Sequence, residues 1–125
     1  MNLFVYKKGR VSLQASLHMI GEEDWVIHLV GGEKPHVGAV AVARVRPSLE
    51  DESRISASTS VITAMGHKED ALAREMAETL AKMVKKNVVV LCGIHLSDIS
   101  KEEIGCVHDG MEQIKDDMAR IWRKK

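Results

Sequence analysis

The hydrophobic period of this 125-residue chain changes once, near Glu69, and this change limits the folds that the chain can adopt. Before that point, apolar and polar residues alternate in short runs, which is the period of half-buried antiparallel strands. After it, apolar residues recur at helical spacing on both sides of one short apolar run. We therefore predict a single α+β domain of order βββββαβα, with a largely antiparallel sheet of about six strands and two helices grouped on one side.

Turn residues bound the strands of the first part of the chain. Segment 10–20 alternates most clearly, with Val11 and Leu13 on one face and Ser12 and Gln14 on the other. This pattern is typical of a strand with one buried and one open face. The five predicted strands are 2–7, 10–20, 25–30, 38–46 and 53–64.

The second part of the chain contains two amphipathic helices around one strand. The first helix is predicted over 69–86, where Leu72 and Leu80 belong to its apolar stripe, and Asn87 ends it. The apolar run 88–94 predicts a central strand covered on both faces.

The second helix has a clear start signal. Ser100 and Glu103 have the spacing of a capping box, and Ile99 and Ile104 flank it as a hydrophobic staple. Apolar residues then continue at helical spacing to the end of the chain, so a long C-terminal helix is predicted.

Charge and cysteine content exclude some classes of function. Lys and Arg together number 18, as do Asp and Glu, so net charge gives no reason to expect nucleic acid or a membrane surface as partner. Cys92 and Cys106 do not form a CxxC pair, and no apolar run is long enough to span a bilayer. These features predict a reduced, cytoplasmic protein.

The stretch GGEKPHVGAVAVA, residues 31–43, is the first candidate site. It joins two predicted strands with Gly31, Gly32 and Gly38, which allow a backbone to approach a ligand closely, and with His36. The same composition is also typical of a wide hairpin whose glycines only satisfy turn geometry.

The stretch SASTSVITAMGHKED, residues 56–70, is the second candidate. Gly66, His67 and Lys68 lie at the predicted start of a helix, where free N–H groups and a lysine favour an anion, and Ser58 could offer a hydroxyl. Alternatively, the acidic residues that follow only complement the helix dipole, and the serines face water.

The stretch CGIHLSD, residues 92–98, is the third candidate. Cys92, His95 and Asp98 are the residue types of a nucleophile system. Cys92 lies within an apolar run, however, so we interpret it as a small buried residue and His95 as the better functional candidate. No HxH or HExxH pair indicates a metal site.

These three stretches resemble the LpdD-like family of small proteins, described as prenylated-flavin chaperones. The resemblance covers roughly residues 25–105 and includes HLVGGEKPHVGAVAVARVRPSL, SVITAMGHKEDALAREMAETLAKMV and VVVLCGIHLSDISKEEI in this order. It implies one LpdD-like domain over residues 1–125 and a fold similar to that of small proteasome-assembly chaperones. It also implies a homodimer.

The resemblance further implies a function. The protein would be a non-catalytic accessory protein that binds prenylated FMN (or FMN) and protects or delivers it for a UbiD-type aromatic acid decarboxylase. A flavin prenyltransferase would be a second partner. The alternative is a structural assembly partner of a larger enzyme that binds no cofactor, and a small enzyme with His95 or His36 as acid or base is the weakest hypothesis.

A flavin needs an apolar slot for its rings and a polar anchor for its phosphate. The small residues of 38–43 would let a flat ring lie close to the sheet, and either the start of the first helix or Arg44 and Arg46 would hold the phosphate. No catalytic or metal-binding residue is predicted. The candidate cofactor-binding residues are Gly31, Gly32, His36, Gly38, Ala39, Ser58, Gly66, His67, Lys68 and His95.

Overall fold

The computed structural model confirms the predicted order of five strands, a helix, a strand and a helix. It describes residues 2–64 and 69–123, and residue 123 by its backbone alone. The protein is a single α+β domain with one six-stranded mixed sheet. Its elements are β1 (Asn2–Lys8), β2 (Val11–Ile20), β3 (Asp24–Gly32), β4 (Ala39–Pro47), β5 (Ile55–Thr63), α1 (Asp70–Val84), β6 (Asn87–His95) and α2 (Lys101–Arg123).

The strand order in the sheet is β1-β2-β3-β6-β4-β5. Neighbouring strands run antiparallel except for β3 and β6, which are parallel. In this register Gly32 pairs with His95, and Ala39 pairs with Cys92. The end of β3, the end of β6 and the start of β4 therefore meet at one edge of the molecule.

Both helices pack on the same face of the sheet. Helix α1 lies over β4, β5 and β6, and α2 lies over β1 and β2. Where α1 covers β4, the fully buried residues of the strand are Ala39, Ala41 and Ala43, and the buried face of α1 includes Ala73, Ala77 and Ala81; all six are at most 1 % exposed. Small residues let the helix and the sheet approach closely, so they leave room for α1 and not for a ligand.

The opposite face of the sheet, which we call the open face, is apolar at its centre. The sequence of β6 predicts burial on both faces, and this prediction is wrong for one of them: Val89 and Leu91 remain partly exposed. Within residues 2–64 and 69–123, no element covers them. The neighbouring strands add further apolar side chains to the same patch: Val26, Val30, Val40, Val42 and Ile62.

Local signals explain how the helices begin and end. Ser100 and Glu103 form the predicted capping box, with N–H to side-chain oxygen distances of 3.0 and 3.1 Å. Helix α1 ends two residues earlier than predicted because Lys85 takes a left-handed conformation at φ 58° and its N–H bonds the carbonyl of Ala81. In the described part of the chain, neither helix is long and apolar enough to cross a membrane.

Candidate functional site

Two adjacent cavities open at the edge where β3, β4 and β6 meet. The larger, which we call the helix cavity, has a volume of about 510 Å³ and lies between the start of α1, the end of β6 and the first turns of α2. The smaller, which we call the corner cavity, has a volume of about 300 Å³ and is lined by Lys34, His36, Val37 and His95. His95 lines both, so the two cavities are adjacent.

The segment between β3 and β4, residues 33–38, forms one wall of this site. Gly32, the last residue of β3, precedes this segment with φ +75°, and a side chain there would collide with the carbonyl group of His95. The N–H of Glu33 donates to that same carbonyl at 2.7 Å, and the N–H of Gly38 donates to the carbonyl of Cys92 at 2.8 Å. The glycines therefore allow this corner to approach β6 closely, and the two hydrogen bonds hold it there.

His36 joins the corner to α1. Its Nε2 lies 2.8 Å from Oε1 of Glu69, and its Nδ1 lies 2.8 Å from the carbonyl oxygen of Lys34. Gly38 makes room for this pair, because a side chain at that position would meet the Glu69 carboxylate. Both nitrogens of the ring are therefore engaged by the protein itself.

Glu69 is a site residue that the sequence does not reveal. Its carboxylate lines the helix cavity although the residue is only 6 % exposed. From the sequence it reads as a residue that complements the helix dipole. Its partner His36 lies 33 positions earlier, and no local pattern connects positions that far apart.

The helix cavity has a mainly apolar lining with a few polar groups at its walls. Ile99 and Ile104 were predicted as the hydrophobic staple of α2 and Leu72 as part of the apolar stripe of α1, and the structure adds a lining role for all three. His108 is a further lining residue that sequence reasoning missed. The apolar side chains are Ala71, Leu72, Ile94, Leu96, Ile99, Ile104 and Val107.

Arg10 connects the segments around both cavities. Its guanidinium donates two hydrogen bonds to the carboxylate of Glu103, at 2.8 and 3.0 Å, and one to Glu33 at 3.2 Å. A fourth hydrogen bond reaches the carbonyl of Ser97 at 3.0 Å. The Arg10 side chain, followed by the backbone N–H of Ser100, lowers the pKa of Glu103 to about 2. The turn after β1 thereby holds the corner, the β6–α2 loop and the start of α2 together.

The structure brings some of the predicted site residues together and separates others. His36 and His95 line the corner cavity, while Gly32 and Gly38 line neither cavity but lie against the lining residues His95 and Glu69. Ala39 does not line them, because it is 1 % exposed and lies in the core on the helix-covered face of β4. The other predicted residues have different positions: Gly31 is buried in β3 against Leu13, Ser58 accepts a hydrogen bond from Arg46 on the open face, and Gly66, His67 and Lys68 lie outside the described residues.

Cys92 has the properties of a packing residue. Its side chain is fully buried, and burial, followed by the nearby Glu69 carboxylate, raises the pKa of its thiol to about 12. A thiol with this pKa stays protonated at neutral pH and is a poor nucleophile.

Fold and site together define a small single-domain α+β protein with two adjacent cavities at the strand ends where β3, β4 and β6 meet. Residues 7–123 match the family model of the prenylated flavin chaperone LpdD-like domain, and the chain belongs to this family. The resemblance predicted from the three sequence motifs is thereby confirmed. No curated protein matches the chain. Family membership supports a chaperone role connected with prenylated flavin.

Proposed function

We propose that this protein is a non-catalytic accessory protein that binds prenylated FMN and protects or delivers it for a UbiD-type aromatic acid decarboxylase. One observation carries the proposal: a member of the prenylated flavin chaperone family has a mainly apolar cavity beside a cavity lined by Lys34 and two histidines. Apolar cavities with a few placed polar groups are the usual form of cofactor sites.

The residues present fit this cofactor. Volumes of about 510 and 300 Å³ lie in the range of sites that enclose ligands of this size. The apolar walls suit a fused ring system, and Lys34 at the corner suits a phosphate group. The bound cofactor would supply the decarboxylase with its reactive ring system, while this chain would hold the rings away from water.

The side chains at the site favour binding over catalysis. Cys92 is buried with a raised pKa, and both ring nitrogens of His36 are engaged by Glu69 and Lys34. A nucleophile needs an accessible, activated atom with a base beside it, and neither residue meets this requirement.

The open face supports a second part of the proposal, a homodimer formed by two such faces. Six strands spaced about 4.8 Å apart, each with a rise of about 3.3 Å per residue, give a face of roughly 700 Å². A standard interface buries about 800 Å² on each partner, so two open faces have nearly the required size. A second copy would cover Val89 and Leu91, the side chains of β6 that no described element covers.

Co-expression with a flavin prenyltransferase tests the proposed binding. We expect the purified protein to carry flavin absorbance in a near-stoichiometric complex and Lys34→Ala to retain less flavin. Lys82→Ala, which removes an exposed lysine on α1 away from both cavities, is the matched control and should retain as much as wild type. A colourless protein that still co-purifies with a decarboxylase would contradict flavin binding and favour a structural assembly partner.

A further inference from the structure

We propose that the two cavities bind the two chemically different ends of a single ligand, the apolar ring end in the helix cavity and the anionic end in the corner cavity. This inference rests on the proposed function and deepens it by assigning the orientation of the flavin and the residues that select its prenylated form.

The helix cavity has the chemistry of the ring end. Seven apolar side chains line it, and two of them, Ile104 and Val107, come from the first turns of α2. Prenylation adds five apolar carbons to the ring system, and each buried methylene contributes about 0.8 kcal/mol when it leaves water. The added carbons therefore gain most where apolar side chains replace water, which is between the two helices.

The corner cavity has the chemistry of the anionic end. Lys34, His36 and His95 line it, and no carboxylate lies among its described lining residues. Glu69 lines the other cavity, and one of its carboxylate oxygens lies 2.8 Å from Nε2 of His36. The ammonium group of Lys34 is therefore the group of this lining that favours a phosphate.

We infer that one ligand reaches both cavities because they are adjacent. His95 lines each of them, and the 2.8 Å contact between His36 and Glu69 joins a lining residue of one to a lining residue of the other. A flavin mononucleotide has its rings and its phosphate at opposite ends of a five-carbon chain. Its ring end thus corresponds to the apolar helix cavity and its phosphate end to the corner cavity.

Three related ligands test this orientation. Riboflavin and FMN differ only in the phosphate, and FMN and prenylated FMN differ only in the prenyl carbons. Dissociation constants, measured anaerobically by fluorescence, give two ratios for each variant: the preference for FMN over riboflavin and the preference for prenylated over plain FMN. The variants are Lys34→Ala with control Lys82→Ala, and Ile104→Asn with control Ile55→Asn, whose side chains are 44 % and 42 % exposed.

We expect Lys34→Ala to reduce the preference for FMN over riboflavin by about threefold, the effect of one exposed ion pair, and to leave the prenyl preference unchanged. Ile104→Asn should reduce the preference for prenylated over plain FMN by about tenfold and leave the phosphate preference unchanged. Both controls should match wild type.

Three results would contradict the inference in different ways. If wild type binds none of the three flavins, both the proposed function and the proposed orientation are wrong. If wild type binds them without a prenyl preference, only the orientation is wrong. If each variant weakens all three ligands equally, the two cavities do not distinguish the two ends of the ligand.

Discussion

The Nε2 atom of His36 lies 2.8 Å from Oε1 of Glu69, and this pair connects the β3–β4 corner to the start of α1. The other ring nitrogen faces the carbonyl oxygen of Lys34 at the same distance. The ring is thus held between an oxygen of the corner and an oxygen of α1. His36 therefore acts on a ligand through the shape of the corner, and a hydrogen bond from its ring to a flavin would require one of these contacts to break.

A double-mutant cycle measures this pair. We expect His36→Ala to lower the free energy of unfolding by about 1–3 kcal/mol, because it removes a partner of the buried Glu69 carboxylate. Glu69→Gln should cost less, since an amide can still bond the ring. Urea denaturation of both single variants and the double variant should give a coupling energy of about 0.5 kcal/mol or more. Additive effects would show that the two side chains do not interact.

The alanines of β4 provide a test of core packing. Ala41 lies on the α1 side of the sheet with no exposed surface, so Ala41→Leu should destabilise the protein by about 1–3 kcal/mol through overpacking. Val42→Leu, at the next position, points to the open face and is the matched control. It should change stability by less than about 0.5 kcal/mol. Equal effects in thermal denaturation would indicate that space remains beneath α1.

The contact between Arg10 and Glu103 predicts a pH dependence. The pKa of Glu103 is lowered from 4.5 to about 2 in the folded protein, so its contribution to stability is complete above pH 4.5 and disappears as the pH falls towards 2. The stability difference between wild type and Arg10→Gln should therefore be constant near pH 7 and shrink below pH 4.5. It should also shrink in high salt, because the pair is near the surface.

Arg120→Gln serves as the control for this measurement, since Arg120 makes a more exposed contact with Asp117 at 3.5 Å. A stability difference for Arg10→Gln that persists unchanged at pH 2 would mean that the arginine stabilises the protein through packing and not through the carboxylate of Glu103.

The parts of the fold that depend on neighbouring residues could be predicted from the sequence. Ser100 and Glu103 are three positions apart, and their capping box forms as the spacing predicts. The alternation of β2 likewise reports which side chains face the core. In both cases the physical cause lies within one turn or one strand.

The site depends on distant residues and could be predicted only in part. His36 and His95 were predicted from their positions at strand ends, and the register of β3 with β6 brings them together. Glu69 and Arg10 act through partners 33 and 93 positions away, and no sequence period reports such pairs. Ala39 was assigned to the ligand because small residues leave room, but the sequence does not say that α1 occupies that room.

The two cysteines should react at very different rates. Cys92 is buried with a thiol pKa of about 12, while Cys106 is partly exposed on α2. At pH 8, a disulfide reagent should therefore label one thiol rapidly and the second only on unfolding. Cys106→Ser should remove the fast phase, and Cys92→Ser should leave it. Fast labelling of Cys106→Ser would mean that the end of β6 around Cys92 opens to solvent.

The open face predicts self-association that a single charge disrupts. Leu91 lies at its centre, paired with Val40 on one side and His28 on the other. A carboxylate buried there without a partner costs several kcal/mol, so Leu91→Glu should be monomeric in sedimentation at concentrations where wild type is dimeric.

Leu49→Glu is the matched control for the dimer, because Leu49 is 90 % exposed in the β4–β5 loop and lies away from the open face. It should sediment like wild type. A wild-type protein that stays monomeric at about 100 μM would contradict the dimer, since two open faces of nearly standard interface size with an apolar centre should associate more tightly than that. A Leu91→Glu variant that remains dimeric would assign the contact to another surface and leave the centre of β6 for a different partner, such as the decarboxylase.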